Sequence, residues 1–286
     1  MKFRRFAIVL LVVGTGFPTH AEPEWIALTI DAPGAVVVPV SIDGAGPFPF
    51  LLDTGSSHSV VGRSLAARLG LAFVARTTVL TSTGSELRPV VRLNQTRIGV
   101  SQSEGLLASV APTPQLAAVA RGIEGIIGQD FLSAFNYTLD YRRKRLLWND
   151  RAPDDRAVRL PLVEQRGRYL VRIAATRQGP PLFLVPDSGS DGLVMFERGG
   201  RTRLDLDPTP QSMMSVRSVS GARYVRTMRL RELTVGPVTL RNRPVAVVAR
   251  EAGDAAEGDG LLPLHLFDRV TFNAGGGYLA LTADDR

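Results

Sequence analysis

Asp53-Thr54-Gly55-Ser56 closes the apolar run Phe50-Leu51-Leu52, and in the second half of the chain Asp187-Ser188-Gly189-Ser190 closes another, Leu182-Phe183-Leu184-Val185. A single Asp-Thr-Gly or Asp-Ser-Gly is ordinary turn chemistry, because Asp and Gly both favour turns. Two of them in matching surroundings carry more information. Each apolar run follows a Pro-rich segment, Pro47-Phe48-Pro49 in one case and Pro180-Pro181 in the other. Each triplet is followed, at almost the same distance, by a second apolar signal: Gly125-Ile126-Ile127-Gly128 and Gly260-Leu261-Leu262-Pro263. The chain reads as a duplication with one carboxylate in each half.

The rest of the sequence supports the repeat. Period-two alternation and short β-branched runs, separated by Gly and Pro, predict strands at 25–30, 35–42, 48–52, 77–81, 90–98 and 106–110. Short helices are predicted at 63–69, with Gly70 as its cap, and at 129–134. Residues 137–141 and 145–148 read as a closing hairpin around the basic run Arg142-Arg143-Lys144-Arg145, itself a solvated turn. The second half repeats the order: 157–163 answers 25–30, 169–175 answers 35–42, 233–236 answers 96–99, and 270–272 with 278–281 answers the closing hairpin. An internal repeat that pairs its own halves predicts a two-lobed all-β molecule with its cleft on a pseudo-twofold axis. The boundary falls in the polar run 149–156, giving an N-terminal lobe at 22–152 and a C-terminal lobe at 153–286.

Composition excludes several chemistries. With 286 residues, 44% of them hydrophobic, the chain is long enough to bury a core in each half. It has no cysteine, which removes thiol catalysis, disulfides and cysteine metal sites. Its three histidines, His20, His58 and His265, are too few for a multi-histidine metal site, and no metal or cofactor is expected. Ser57-His58 lacks the nucleophile-elbow pattern. A calcium loop from Asp187 fails because Gly189 offers no ligand and Arg198 stands where an acid is needed. Asp254 to Asp259 reads as a solvated acidic connection. The net charge of +7 falls to +4 once Lys2, Arg4 and Arg5 are set aside, and the basic residues are scattered, so no nucleic-acid module is expected.

Those three basic residues, the apolar stretch 6–13 and Thr19-His20-Ala21 form the pattern of a signal peptide over residues 1–21. The mature protein is expected to be exported, to the periplasm or beyond, without stable insertion in a membrane.

Phe50-Leu51-Leu52-Asp53-Thr54-Gly55-Ser56-Ser57, with Gly125-Ile126-Ile127-Gly128-Gln129-Asp130, resembles the retropepsin-like and pepsin-like aspartic peptidases. The resemblance implies the acid protease fold: two pseudo-twofold-related, β-barrel-like lobes with a central cleft, here in one monomeric chain. It implies an endopeptidase in which Asp53 and Asp187 activate a water against an extended peptide or protein substrate. It also implies that the apolar-Gly signals are strands crossing beneath each Asp loop.

The residues give these roles a physical basis. Two carboxyls about 3 Å apart cannot both ionise and share a proton. Gly55 and Gly189 are expected to allow close approach of the opposite loop, and Thr54 and Ser188 to bond across the axis to its backbone. Ser56 and Ser190 are expected to donate to the outer carboxylate oxygens. Flap candidates are Ser82, Thr83 and Gly84 in the first half and Ser220 and Gly221 in the second, neither tip holding a tyrosine. Pro186 and Pro263 each remove a backbone donor, so the C-terminal lobe is expected to hold its Asp less symmetrically. Two other functions are compatible with the residues: a peptide-binding protein of the same fold that no longer cleaves, and a structural β-domain of the cell envelope whose triplets are only turns.

Overall fold

The computed structural model describes residues 25–31, 34–81, 84–149, 154–174, 180–198, 202–218, 221–250 and 258–283. The expected leader, the lobe boundary at 150–153 and the flap residues Ser82, Thr83 and Ser220 lie outside the described residues.

The N-terminal lobe opens with strands β1 (Trp25–Ala27), β2 (Thr29–Asp31), β3 (Ala35–Ile42), β4 (Ala45–Leu52) and β5 (Val60–Gly62), then helix α1 (Arg63–Arg68). A long hairpin, β6 (Phe73–Thr81) and β7 (Gly84–Ile98), leads to β8 (Ser101–Ala111) and helix α2 (Thr113–Val119). β9 (Gly125–Ile127), the short α3 (Gln129–Leu132), β10 (Tyr137–Asp140) and β11 (Arg145–Trp148) complete it. The C-terminal lobe repeats this with β12 (Val158–Gln165), β13 (Arg168–Ile173), β14 (Leu182–Asp187) and β15 (Val194–Arg198). Its own long hairpin is β16 (Leu206–Ser218) and β17 (Gly221–Val235), followed by β18 (Val238–Arg250) and β19 (Gly260–Pro263). One turn of 3-10 helix at Leu264–Leu266 precedes β20 (Arg269–Asn273) and β21 (Tyr278–Thr282).

The molecule is all-β and two-lobed, and the lobes share an unusual strand pattern. β4 runs parallel to β9, which is antiparallel to β5, which is parallel to β8. β14, β19, β15 and β18 repeat those three pairings in the same senses. The apolar-Gly signals are therefore β9 and β19, lying beside the strands that deliver Asp53 and Asp187. Gly125 and Gly260 are needed there: a Cβ on Gly125 overlaps the Phe50 ring, and one on Gly260 overlaps the carbonyl of Val194.

Phe50, Leu51 and Leu52 form a continuous apolar run because both faces of β4 are covered. Phe50 and Leu52 belong to the large core running through both lobes. Leu51 points the other way, into a second cluster with Val60, Leu116, Ile123 and Ile126. A strand buried on both sides loses the polar alternation that marks a half-exposed one. Truncating any of these side chains to Ala costs about 2–5 kcal/mol.

A shared sheet joins the lobes. Its order is β1, β11, β10, β20, β21, β12, and the central pair β10–β20 is antiparallel with Thr138 opposite Thr271. The two threonine hydroxyls meet at 2.7 Å, and Tyr137 stacks on Phe272 at 4.8 Å. Residues 25–30, expected as one strand, divide at Leu28: β1 joins this shared sheet and β2 turns back onto β3.

Two readings need correction. Helix α2 was not anticipated, although Pro114 in its first turn is a start signal. Asp259 is not part of a solvated connection: it is buried, accepts the backbone N–H of Phe183 at 2.9 Å and pairs with Arg203 at 3.2 Å. Residues 251–257 lie outside the described residues. The basic hairpin turn at 141–144 is present and solvated as expected, with Arg142, Arg143 and Lys144 exposed, and buried Asp140 at its base accepts the backbone N–H of Arg143 at 2.7 Å and faces Arg145 at 3.4 Å.

Candidate active site

β4 and β14 each end by delivering a triplet to the lobe interface. The two loops interlock through four bonds that are equivalent in pairs. The Thr54 hydroxyl donates to the carbonyl of Pro186 at 2.7 Å, and the Ser188 hydroxyl donates to the carbonyl of Leu52 at 2.6 Å. The backbone N–H of Thr54 donates to Ser188 Oγ at 3.1 Å, and that of Ser188 to Thr54 Oγ1 at 3.0 Å. All four bonds are buried, where leaving one partner unpaired costs about 1–3 kcal/mol. The expected cross-axis role of Thr54 and Ser188 is what the structure shows.

This interlock brings the carboxyls of Asp53 and Asp187 within hydrogen-bonding reach of each other. Gly55 and Gly189 make the approach possible. A Cβ on Gly55 stands 2.6 Å from Asp187 Cγ, and one on Gly189 stands 3.1 Å from Asp53 Cγ. Neither glycine has a positive φ. Their lack of a side chain, not backbone freedom, is what the site uses.

The two carboxyls are held unequally. Asp53 Oδ1 accepts the backbone N–H groups of Gly55 at 2.9 Å and Ser56 at 3.1 Å. Among the described residues Asp187 Oδ1 accepts only that of Gly189, at 2.8 Å. Burial pushes both carboxyls above the usual Asp range. The shift is larger for Asp187, because the charge on Asp53 adds to burial. On Asp53 the backbone donors and the nearby Arg168 guanidinium work against burial. The inequality comes from the Asp loops' own backbone donors and from the neighbouring charges, not from Pro186 or Pro263.

The expected role of Ser56 and Ser190 is not. Their hydroxyls turn away from the carboxylates: Ser56 Oγ donates to the carbonyl of His58 at 2.8 Å, and Ser190 Oγ to that of Gly192 at 2.8 Å. A serine two residues ahead of a carbonyl bonds locally at less cost than it reaches across a loop. Ser56 reaches Asp53 through its backbone instead.

Several supporting residues escaped the sequence. Gln129 donates from Nε2 to the carbonyl of Thr54 at 2.8 Å, and its backbone N–H bonds to the carbonyl of Ser56 at 2.9 Å. Asp130 accepts the backbone N–H of Ser59 at 2.8 Å and its hydroxyl at 2.6 Å, while Ser59 Oγ accepts the N–H of Gly128 at 3.1 Å. Gln129 and Asp130 directly follow the first apolar-Gly signal, which was their only mark. The strand registers place Leu193, Pro263 and His265 at the corresponding positions of the C-terminal lobe. Pro263 has no N–H to place, and buried Leu193 offers no hydroxyl, so the Ser59–Asp130 hydrogen bonds have no counterpart there, although His265 remains a polar group. An ion pair does repeat: Arg68 with Glu124 at 2.7 Å, and Arg203 with Asp259 at 3.2 Å.

The two long hairpins occupy sequence-equivalent places in the two lobes. Gly84 pairs with Thr81 and Gly221 with Ser218, closing β6–β7 and β16–β17. Phe73 and Leu87 on one hairpin, and Met213 and Tyr224 on the other, are exposed apolar side chains. Helix α2 packs against β16 and holds Arg88 of β7 through Gln115 at 2.9 Å, linking the two hairpins. Among the described residues no cluster of acidic or histidine side chains is arranged to hold a metal ion.

Comparison with curated proteins gives no match. Among 169 matching chains of solved structures is the crystal structure of a retropepsin-like aspartic protease from Rickettsia conorii. It is 20% identical, with a TM-score of 0.33, over 44% of this chain and 91% of that one. The model of the aspartyl protease family matches twice, at residues 38–131 and 173–265. Each match holds one Asp triplet and the apolar strand beside it, and the two together span more than half of the sequence. The chain belongs to the aspartyl protease family.

Proposed function

We propose that this protein is an aspartic endopeptidase that hydrolyses peptide bonds with a water activated between Asp53 and Asp187. The observation that carries the proposal is the paired approach of the two carboxyls, each packed against the glycine of the facing loop where a side chain would crowd it.

The unequal surroundings support a division of roles. Asp53, with two backbone donors, holds the negative charge, and Asp187, buried beside that charge, holds the proton. A water lodged between them gives a proton to Asp53 as its oxygen bonds to the substrate carbonyl carbon. Asp187 passes its proton to the carbonyl oxygen, so the intermediate is a neutral gem-diol. Proton transfer from Asp53 to the amide nitrogen then lets the C–N bond break. One diol hydroxyl returns its proton to Asp187 as the new carboxyl forms, and the pair regains its single shared proton. No covalent enzyme intermediate arises.

An extended peptide suits the cleft because it presents backbone donors and acceptors to the two hairpins as an added strand does. We further propose that one chain suffices, since each half supplies one carboxylate, and that residues 1–21 direct export and are removed.

The test is hydrolysis of a mixed peptide library, with new termini read by mass spectrometry, for the wild type, Asp53→Asn and Asp187→Asn. Cleavage by the wild type and its loss in both folded variants is expected. Wild-type turnover by correctly folded Asp187→Asn sinks the paired-carboxyl reading; binding without turnover by the wild type points to a peptide-binding protein of the same fold.

A further inference from the structure

Arg168 is the first residue of β13 and follows the two-residue turn Arg166–Gly167. Both turn residues have positive φ, 49° and 76°, the conformation of a type I′ turn whose twist matches its flanking strands. Such a hairpin is short and stiff. This one leaves its own lobe: a Cβ on Gly167 stands 3.8 Å from Ser57 Cβ, in the Asp loop of the N-terminal lobe. The C-terminal lobe thereby places a cation beside the opposite lobe's catalytic loop. Arg168 is half-buried, and its charge acts on both Asp53 and Asp187.

Its guanidinium nevertheless makes no ion pair or hydrogen bond among the described residues. Other arginines of the chain are paired: Arg68 with Glu124, Arg203 with Asp259, and Arg226 with Glu197. The paired carboxyls attract Arg168 without bonding to it. Their oxygens are engaged by the N–H groups of Gly55, Ser56 and Gly189 and by each other. A guanidinium carries five N–H donors in one plane and matches a carboxylate edge-on with two parallel bonds. A half-buried one with all of these unused is poised for an oxygen-bearing ligand. The equivalent first residue of β3 is Ala35, so the charge breaks the pseudo-symmetry and stands on one side of the cleft alone.

We propose that Arg168 is a specificity determinant that binds the side-chain carboxylate of an Asp or Glu on one side of the scissile bond of the substrate. The proposal rests on peptide hydrolysis at Asp53 and Asp187 and deepens it by naming a substrate class. The acidic side chain supplies the two oxygens that the protein itself does not.

The experiment compares kcat/KM of the wild type, Arg168→Gln, Arg168→Lys and Arg168→Glu on a peptide library sorted by charge at each position. The wild type is expected to favour Asp or Glu at one subsite. Arg168→Gln loses about 10-fold or more on acidic peptides beyond whatever change it makes on neutral ones, chiefly through KM. Arg168→Lys recovers part of the preference, and Arg168→Glu shifts it toward Lys or Arg. Absence of an acidic preference in the wild type, or its survival in Arg168→Gln, overturns the proposal. So does an equal fall on every peptide, the mark of a structural role, or a moved pH profile with preference intact, the mark of action on the carboxyls alone. A wild type that cleaves no peptide removes the hydrolase reading itself and this proposal with it.

Discussion

The Thr54 hydroxyl oxygen lies 3.0 Å from the backbone nitrogen of Ser188, and the Ser188 hydroxyl oxygen lies 3.1 Å from the backbone nitrogen of Thr54. The two residues thus accept from each other's backbone while donating to the strand behind, at Pro186 and Leu52. Thr54→Val keeps the shape but leaves the Ser188 N–H and the Pro186 carbonyl unpaired in a buried place. A loss of about 2–3 kcal/mol is expected in urea unfolding, with activity reduced, while Thr54→Ser stays near wild type. A Thr54→Val protein as stable and active as the wild type means the interlock is incidental.

Asp187→Asn is expected to stabilise the fold at neutral pH. Burial raises the Asp187 pKa, so the native state holds its proton more tightly than the unfolded chain does. As pH climbs from the ordinary Asp value toward the raised one, the unfolded state ionises first and native stability falls. An amide has no such loss. The melting temperature of Asp187→Asn is expected to exceed that of the wild type at pH 7, by roughly 2–4 °C for each kcal/mol gained, and to match it near about pH 3. Equal melting temperatures at both pH values argue against a raised Asp187 pKa in the native state.

The activity profile is expected to be bell-shaped, with its acid limb above the usual Asp range. Hydrolysis needs one carboxylate and one carboxylic acid, so it falls below the first macroscopic pKa and above the second. Both carboxyls are raised by burial, which moves the window toward neutrality. A kcat/KM profile still rising at the lowest pH the fold tolerates contradicts this.

Gly55→Ala tests the close approach. The new methyl stands 2.6 Å from Asp187 Cγ, so Asp187 must move. With no positive φ at Gly55, the backbone itself accepts alanine. Circular dichroism is expected to stay near wild type while activity falls by at least about 10²-fold, since misplacement by 1 Å suffices for that. Retained activity means that the carboxyls tolerate a wider separation than the structure shows.

Removal of the leader is checked by N-terminal sequencing of protein recovered from a periplasmic fraction. The expected first residue is Glu22. Recovery of chains beginning at Met1 and pelleting with membranes argues for an anchor instead.

The repeat, the all-β class and the two carboxylates were legible because each leaves a local mark. The Asp-hydroxyl-Gly triplets follow apolar runs, and Gly125-Ile126-Ile127-Gly128 and Gly260-Leu261-Leu262-Pro263 return at matching distances. Even the cross-axis bonds of Thr54 and Ser188 followed from residue type, since a hydroxyl next to a loop tip has few partners besides the facing loop. What misled was local competition. Ser56 and Ser190 have hydroxyls at the right sequence distance, yet a carbonyl two residues on satisfies them first. Asp259 looked solvated because its loop is acidic, and only the fold brings Arg203 and the Phe183 N–H to it.

The sequence by itself determined that two similar halves exist, that each ends a buried strand in an Asp triplet, and that thiol chemistry is excluded. These follow from composition and from spacing along one dimension. Tertiary structure alone decided how unequal the halves are. Asp53 has two backbone donors and Asp187 one, the Ser59–Asp130 hydrogen bonds have no counterpart at Leu193 and Pro263, and Arg168 crosses to the opposite lobe without an echo at Ala35. The reason is physical: a carboxyl's proton affinity and a guanidinium's reach depend on burial and on donors drawn from distant segments. No periodicity in the chain records which of those segments will meet.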